Sequence, residues 1–312
     1  MRQRLSALKI VFLSLLLISS CSIENQNSNR TIEDIADEIL DATMLRYPST
    51  PTFYSIKNSP HDQLYDNSLN ALKQWQIRED QWLEELDTIG EPKKVGSRDW
   101  VTFGIIYESL AASRDARVCR KELWETSTTT AWYTGLPFIF DIQPLDSANL
   151  KSQALNRLGQ VSHFIDREIQ NLTIGLSQGY SSPRITVEAV PSEVRMLLES
   201  NSPFLLMGER AEDEEFNNQV KGIFDDEIAP AIRRYAQFIE NKYLGQARDN
   251  ISISSNPDGS KCYPALVRSF STIRPTADEI HDLGLQQIAL IRSEMSVLIL
   301  RRKFSIASPS KY

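Results

Sequence analysis

Apolar side chains recur at helical spacing along most of this chain, and no other feature constrains its fold as strongly. Tyr65, Leu69, Leu72, Trp75, Trp82 and Leu86 fall mostly three, four or seven residues apart, and so do Trp100, Phe103, Tyr107, Leu110 and Arg114. The same rhythm runs through Leu155, Leu158, Val161, Ile165, Ile169, Leu172 and Leu176, and again through Val220, Phe224, Ile228, Ile232, Tyr235, Ile239 and Tyr243. Residues so spaced share one face of a helix, so each run predicts a helix with a buried stripe. Pro230 interrupts the last run without shifting its phase. A ring without an amide hydrogen at that point predicts a kink or two abutting helices. Further on, Thr276-Ala277-Asp278-Glu279 follows Pro275 and fits a capping box. It predicts a last long helix with Ile280, Leu283, Ile288, Ile291, Met295 and Leu298 on its buried face. Pro, Gly and Asn clusters at 47–51, 90–92 and 256–259 mark turns between helices. Strand-like alternation is scarce and no repeat of fixed period stands out. The expected fold is mainly α, an irregular helical array over residues 31–300.

The amino terminus reads as an export signal. Arg2, Arg4 and Lys9 precede an apolar stretch from Ile10 to Ile18, and Ser19, Ser20 and Cys21 follow. The apolar part is shorter than the roughly 20 residues a spanning helix needs. Ile18-Ser19-Ser20-Cys21 resembles a bacterial lipobox, which implies cleavage after Ser20 and lipid on the Cys21 thiol. Ser22 in second place of the mature chain, where a retention signal would have aspartate, implies an outer-membrane anchor facing the periplasm. Residues 21–30, polar and rich in Asn, suit a flexible tether.

Removing three signal-peptide cations moves the formal net charge from −7 to −10. So acidic a chain is a poor ligand for nucleic acid. A hydrophobic share of 41% is enough for a packed core and excludes a disordered tail. Once Cys21 is acylated, Cys119 and Cys262 remain, in a compartment where a bridge between them is possible.

Candidate chemistry is sparse. Gly175-Leu176-Ser177-Gln178-Gly179 matches the GxSxG of serine hydrolases, but the preceding residues are helical in period and Pro183 follows, so a glycine-terminated helix competes with a nucleophile at Ser177. In a serine triad, His281 is the one downstream histidine. His61, His163 and His281 stand alone; none begins HExxH, whose two histidines one turn apart hold zinc while the glutamate activates water. His281, with Asp278 and Asp282 nearby, reads as a packing or hydrogen-bonding side chain. The acidic clusters at 212–215 and 225–227 lack the alternating ligands of a calcium loop and read as solvated helix faces. No cofactor or metal site is expected from residues of this chain.

Several stretches resemble one family when taken in order. They are Glu122-Leu123-Trp124-Glu125 before Leu136-Pro137, the helix ending Gly175 to Tyr180, Phe204 after Ser202-Pro203, and Ala229-Pro230 with Tyr235. Then come Tyr243-Leu244-Gly245-Gln246-Ala247-Arg248, Pro257-Asp258-Gly259 with Tyr263, and Thr272 with Glu279-Ile280-His281-Asp282-Leu283-Gly284-Leu285. Over residues 31 to 296 the set resembles the bacterial domain-of-unknown-function 885 family, many of whose members are exported lipoproteins. The resemblance implies a helical fold similar to zinc metallopeptidases, about twice this length, with an HExxGH-like motif in a second half. No zinc ligand or catalytic glutamate of that motif carries over to a position here. The stretch 297–312, ending in the basic tail 301–312 with Arg301, Arg302, Lys303 and Lys311, falls outside the resemblance. The chain is accordingly expected to be an amino-terminal, non-catalytic portion forming one wall of a substrate cleft, held at the membrane through Cys21 and facing a peptide or an envelope protein. The alternative is a stand-alone periplasmic binding or scaffolding lipoprotein.

Overall fold

The computed structural model describes residues 30–306. The export signal, Cys21, the tether up to Asn29 and the last six residues of the basic tail lie outside the described residues. Those described form helices joined by turns and extended segments, with one isolated bridge between Pro183 and Arg248 and no strand among them. The mainly α, irregular array is therefore the observed architecture.

Three helices form the first layer. They are α1 (Ile32–Arg46), α2 (Leu69–Ile89) and α3 (Arg98–Ala116). Each opens on a side-chain cap: Thr31, Ser68 and Ser97 accept hydrogen bonds from amides of the first turn, which otherwise have no partner. Gly90, at φ 77°, ends α2 in a conformation that costs a side-chain-bearing residue energy. Ile35, Trp82, Leu83, Leu86, Phe103 and Leu110 fill the space between the three helices.

The larger body comprises α4 (Trp132–Asp141), α5 (Ala148–Leu158), α6 (Val161–Ser177), α7 (Val190–Met196) and α8 (Pro203–Arg210). A single helical rod over 214–246, α9, runs through it. Phe140, Leu158, Ile165, Phe204, Val220, Ile232 and Tyr243 are wholly buried in its core. Of the two outcomes expected at its proline, division is absent: helix continues through Pro230, with a π-type turn at Phe224–Ile228 just before it and a second at Ile239–Tyr243. Widened turns absorb the missing amide hydrogen bond without stopping the helix. Conversely, the unbroken apolar run from Leu155 to Leu176 is two helices, parted at Gly159-Gln160.

Two devices join α10 (Gly259–Ser271) to the first layer. Cys119 and Cys262 form a disulfide. Arg268, buried on α10, donates to both oxygens of Glu108 at 2.6 Å and to Asp115 at 2.5 Å, both on α3. The final helix, α11 (Ala277–Ile306), opens on the expected box: the Thr276 amide donates to Glu279 at 2.7 Å and the Glu279 amide to Thr276 Oγ1 at 3.2 Å. It continues past Leu300, across the boundary expected between helical body and basic tail. Every residue from His281 to Leu298 is exposed.

Candidate functional site

The segment 47–67, a short helix at Thr50–Phe53 followed by turns and irregular backbone, crosses the larger body as a strap, and one buried cation holds it down. Arg157 of α5 donates to the carbonyls of Pro48 and Gln63, to Thr52 Oγ1 and to Gln143 Oε1, at 2.7 to 3.0 Å. All four partners are neutral, and burial pushes the guanidinium down to about 10. Gln160, at the break between α5 and α6, adds two bonds: its Oε1 accepts from Leu64 N and its Nε2 donates to Asp62 O. The strap therefore meets α6 in a fixed register, with Tyr65 and Asn67 turned towards it.

Where strap, α6 and the start of α4 meet, a cavity of about 570 Å³ opens to the surface. Tyr47, Tyr65, Trp132, Leu136, Ile139 and Phe164 supply its apolar lining. Asn67, Glu168 and Asn171 supply polar groups, with Lys121, Glu122 and Glu125 beside them. Glu168 is half-buried at the cavity, and desolvation pushes its carboxyl above the usual carboxylate range, against the lowering effect of a hydrogen bond from Asn67. That bond, Asn67 Nδ2 to Glu168 Oε1, is 2.6 Å long; the same nitrogen donates to Phe164 O at 3.1 Å. Asn171 Nδ2 in turn donates to Asn67 O at 2.9 Å.

Three residues lining the cavity each bury a polar atom that has no partner: Trp132 Nε1 and Arg46 Nε, both donors, and Asn67 Oδ1, an acceptor. The Asn67 assignment is fixed, because both groups its nitrogen touches are acceptors. Buried unpaired polar atoms are rare and mark either stored cost or a place for a ligand. A concave, largely aromatic cavity of this size, with a few convergent polar groups and one perturbed acid, has the composition of a ligand site. Sequence reasoning did not single out these residues. The signal available was Glu168 and Asn171 falling four and seven residues after Phe164, on the face of α6 that periodicity assigns to the core.

The residues weighed from sequence are scattered. Ser177 lies at the end of α6, where its Oγ donates to Ile174 O at 2.7 Å. Gly179, at φ 82°, follows, and the Tyr180 amide donates to Gly175 O, so the GxSxG stretch is a glycine-terminated helix end. Gly175 also sits so close to Leu123 that a Cβ on it would lie 1.7 Å from the Leu123 carbonyl oxygen. His61 is buried, its Nδ1 2.8 Å from Thr52 Oγ1, and burial followed by the nearby Arg157 charge holds its pKa below the usual value. His163 is exposed beside Arg167, and His281 is exposed on α11. Among the described residues, no group of three or more His, Cys, Asp or Glu side chains could hold a metal ion. The acidic runs 212–215 and 225–227 lie on the surface, with Asp213 capping the rod and paired to Lys151.

A family model described as "Bacterial protein of unknown function (DUF885)" matches residues 48–309. The match begins after α1 and runs into the basic stretch that lay outside the sequence resemblance. No curated protein matches the chain.

Proposed function

The chain belongs to the DUF885 family, and on that footing we propose that it forms the substrate-holding wall of a cleft, taking up peptide backbone in the pocket between the strap, α4 and α6. The observation that carries this reading is a largely aromatic cavity whose lining residues Trp132, Arg46 and Asn67 each hold a buried polar atom without a partner. An amide group presents an acceptor and a donor together, so peptide backbone offers partners of both kinds that the lining lacks. Aromatic sides suit the apolar surface of bound residues.

The exposed last helix supports a wall and not a closed module. Leu283, Leu285, Ile288, Leu290, Ile291, Met295, Val297 and Leu298 are 46–62% exposed. At 100° per residue they cover about two thirds of the α11 circumference, wider than the stripe of a helix lying on one layer. No described helix is long and apolar enough to cross a membrane, so lipid is not the partner this surface fits as a spanning element. A larger fold packing against α11 is. Attachment at the outer membrane through lipid on Cys21 belongs to the same proposal. The Cys119–Cys262 disulfide supports an oxidising compartment such as the periplasm.

Hydrogen exchange of the full chain, with and without a random-sequence hexapeptide mixture, tests the reading. Slowed exchange confined to the strap near Tyr65, the start of α4 and the middle of α6 is expected. Unchanged exchange there, or protection on another surface alone, overturns it.

A further inference from the structure

We propose that the pocket takes a peptide's ammonium group, with the Glu168 carboxylate as its counter-ion and Tyr65, Phe164 and Trp132 around it. This inference rests on the pocket being a peptide site and adds which end of the peptide enters.

Among the described residues, two charged groups that line the cavity have no ion pair, Arg46 and Glu168. Glu125 pairs with Lys121 at 2.9 Å and Glu122 with Arg120 at 2.7 Å. Arg46 lies over the rings of Tyr47 and Tyr65 and donates to Asp66 O at 2.5 Å. Glu168 has no ion pair among the described residues; its one hydrogen bond is the neutral amide of Asn67. A half-buried carboxylate without a cation gains by holding a proton or by taking a positive partner. Asn67 Oδ1 lies on the amide that already holds Glu168, so a group offering several N–H donors serves both residues. An ammonium has three donors and no acceptor. The neighbouring rings favour it further, since a cation is attracted to an aromatic face when water is excluded.

Trp132 Nε1 narrows the source. An α-amino group is followed two bonds later by a carbonyl, which can accept the indole hydrogen; a lysine ammonium stands at the end of four methylenes and brings no carbonyl with it. That donor and acceptor chemistry, with Trp132 and Glu168 lining the same cavity, favours a free peptide amino terminus over a lysine side chain. Affinity should rise with pH as Glu168 ionises, until the ligand amine loses its own proton. The other titratable and charged groups facing this acid are Arg46 at the end of α1, Tyr65 on the strap, Lys121, Glu122 and Glu125 beside α4, and Tyr235 on α9.

Calorimetric titration of the full chain tests this with three probes: trialanine amide, its N-acetylated form, and Nα-acetyl-lysine amide. Trialanine amide should bind, acetylation should weaken it about tenfold or more, as expected for losing hydrogen bonds to a charged group, and the lysine derivative should bind more weakly than the free peptide. Glu168→Gln should lose the preference for the free amine while melting no lower than the parent chain, which separates lost recognition from lost folding. Equal binding of acetylated and free peptide, or an unchanged preference in Glu168→Gln, overturns the ammonium assignment and leaves the peptide site standing. Absence of binding by all three probes overturns both. Lysine binding equal to that of trialanine amide supports the ammonium and moves its source to a side chain.

Discussion

Glu168 shows how one residue carries both a cost and a use. It occupies the α6 face that Phe164, Ile165 and Leu172 bury, and the fold gives it an amide in place of a cation. Its pKa is raised, so the folded chain keeps a proton that the unfolded chain releases. The site therefore contributes stability at acid pH and loses it as pH rises from the ordinary carboxylate range through the folded value. Glu168→Gln keeps the Asn67 contact and removes the titration. The variant should match the parent near pH 4, melt higher than the parent at pH 7 and flatten the pH dependence between; a lower melting temperature at pH 7 would contradict this. This residue was legible in the sequence, as a carboxylate in an apolar phase. Asn67 and Trp132 were not. Asn67 lies 101 positions before Glu168 and Trp132 sits on another element, so only the Arg157 and Gln160 bonds to the strap bring the wall together. The three histidines, prominent in the sequence, are dispersed because nothing in their local spacing required them to meet.

At the scale of elements, periodicity located the helices well and their breaks poorly. The last helix began where its capping box placed it, because that signal is local and chemical. Tyr65 kept the phase of α2 yet lies on the strap, since a phase persists by chance across a turn. Gly159-Gln160 parts α5 from α6 because the Gln160 side chain is committed to the strap, a tertiary demand invisible to periodicity. The bridge between Cys119 and Cys262, possible from sequence, is formed, and it closes a separation of 143 residues. Replacing both cysteines with serine should lower stability by about 2–4 kcal/mol, with the chain-entropy contribution at its larger end for so long a loop. Urea denaturation of the parent and double variant measures this; coincident midpoints would contradict it. The Arg268 clamp to Glu108 and Asp115 should keep α10 in place in the variant, so the lost stability should come without loss of helix content.

For the whole molecule, what stands out is a body with a packed core and one long apolar helix left outside it. The face that periodicity predicts as buried is not: Leu283, Ile288, Ile291, Met295 and Leu298 are exposed, and the apolar surface is broader than the stripe, taking in Leu285, Leu290 and Val297. Leu283→Glu with Ile291→Glu should at least halve the binding of a hydrophobic dye and change stability by no more than about 0.5 kcal/mol, the range of ordinary surface substitutions. A fall in melting temperature of several degrees would mean that α11 packs on the body. The pocket is the other feature of the whole, since it exists only where strap, α4 and α6 converge. The chain has five tryptophans, and therefore five indole N–H resonances, of which Trp132→Phe identifies one. Titrating trialanine amide into the nitrogen-15-labelled chain reads the open donor directly. The Trp132 indole proton should move downfield as it gains a carbonyl acceptor, with the other four nearly still; a stationary Trp132 signal at saturating peptide would contradict a peptide site at this wall.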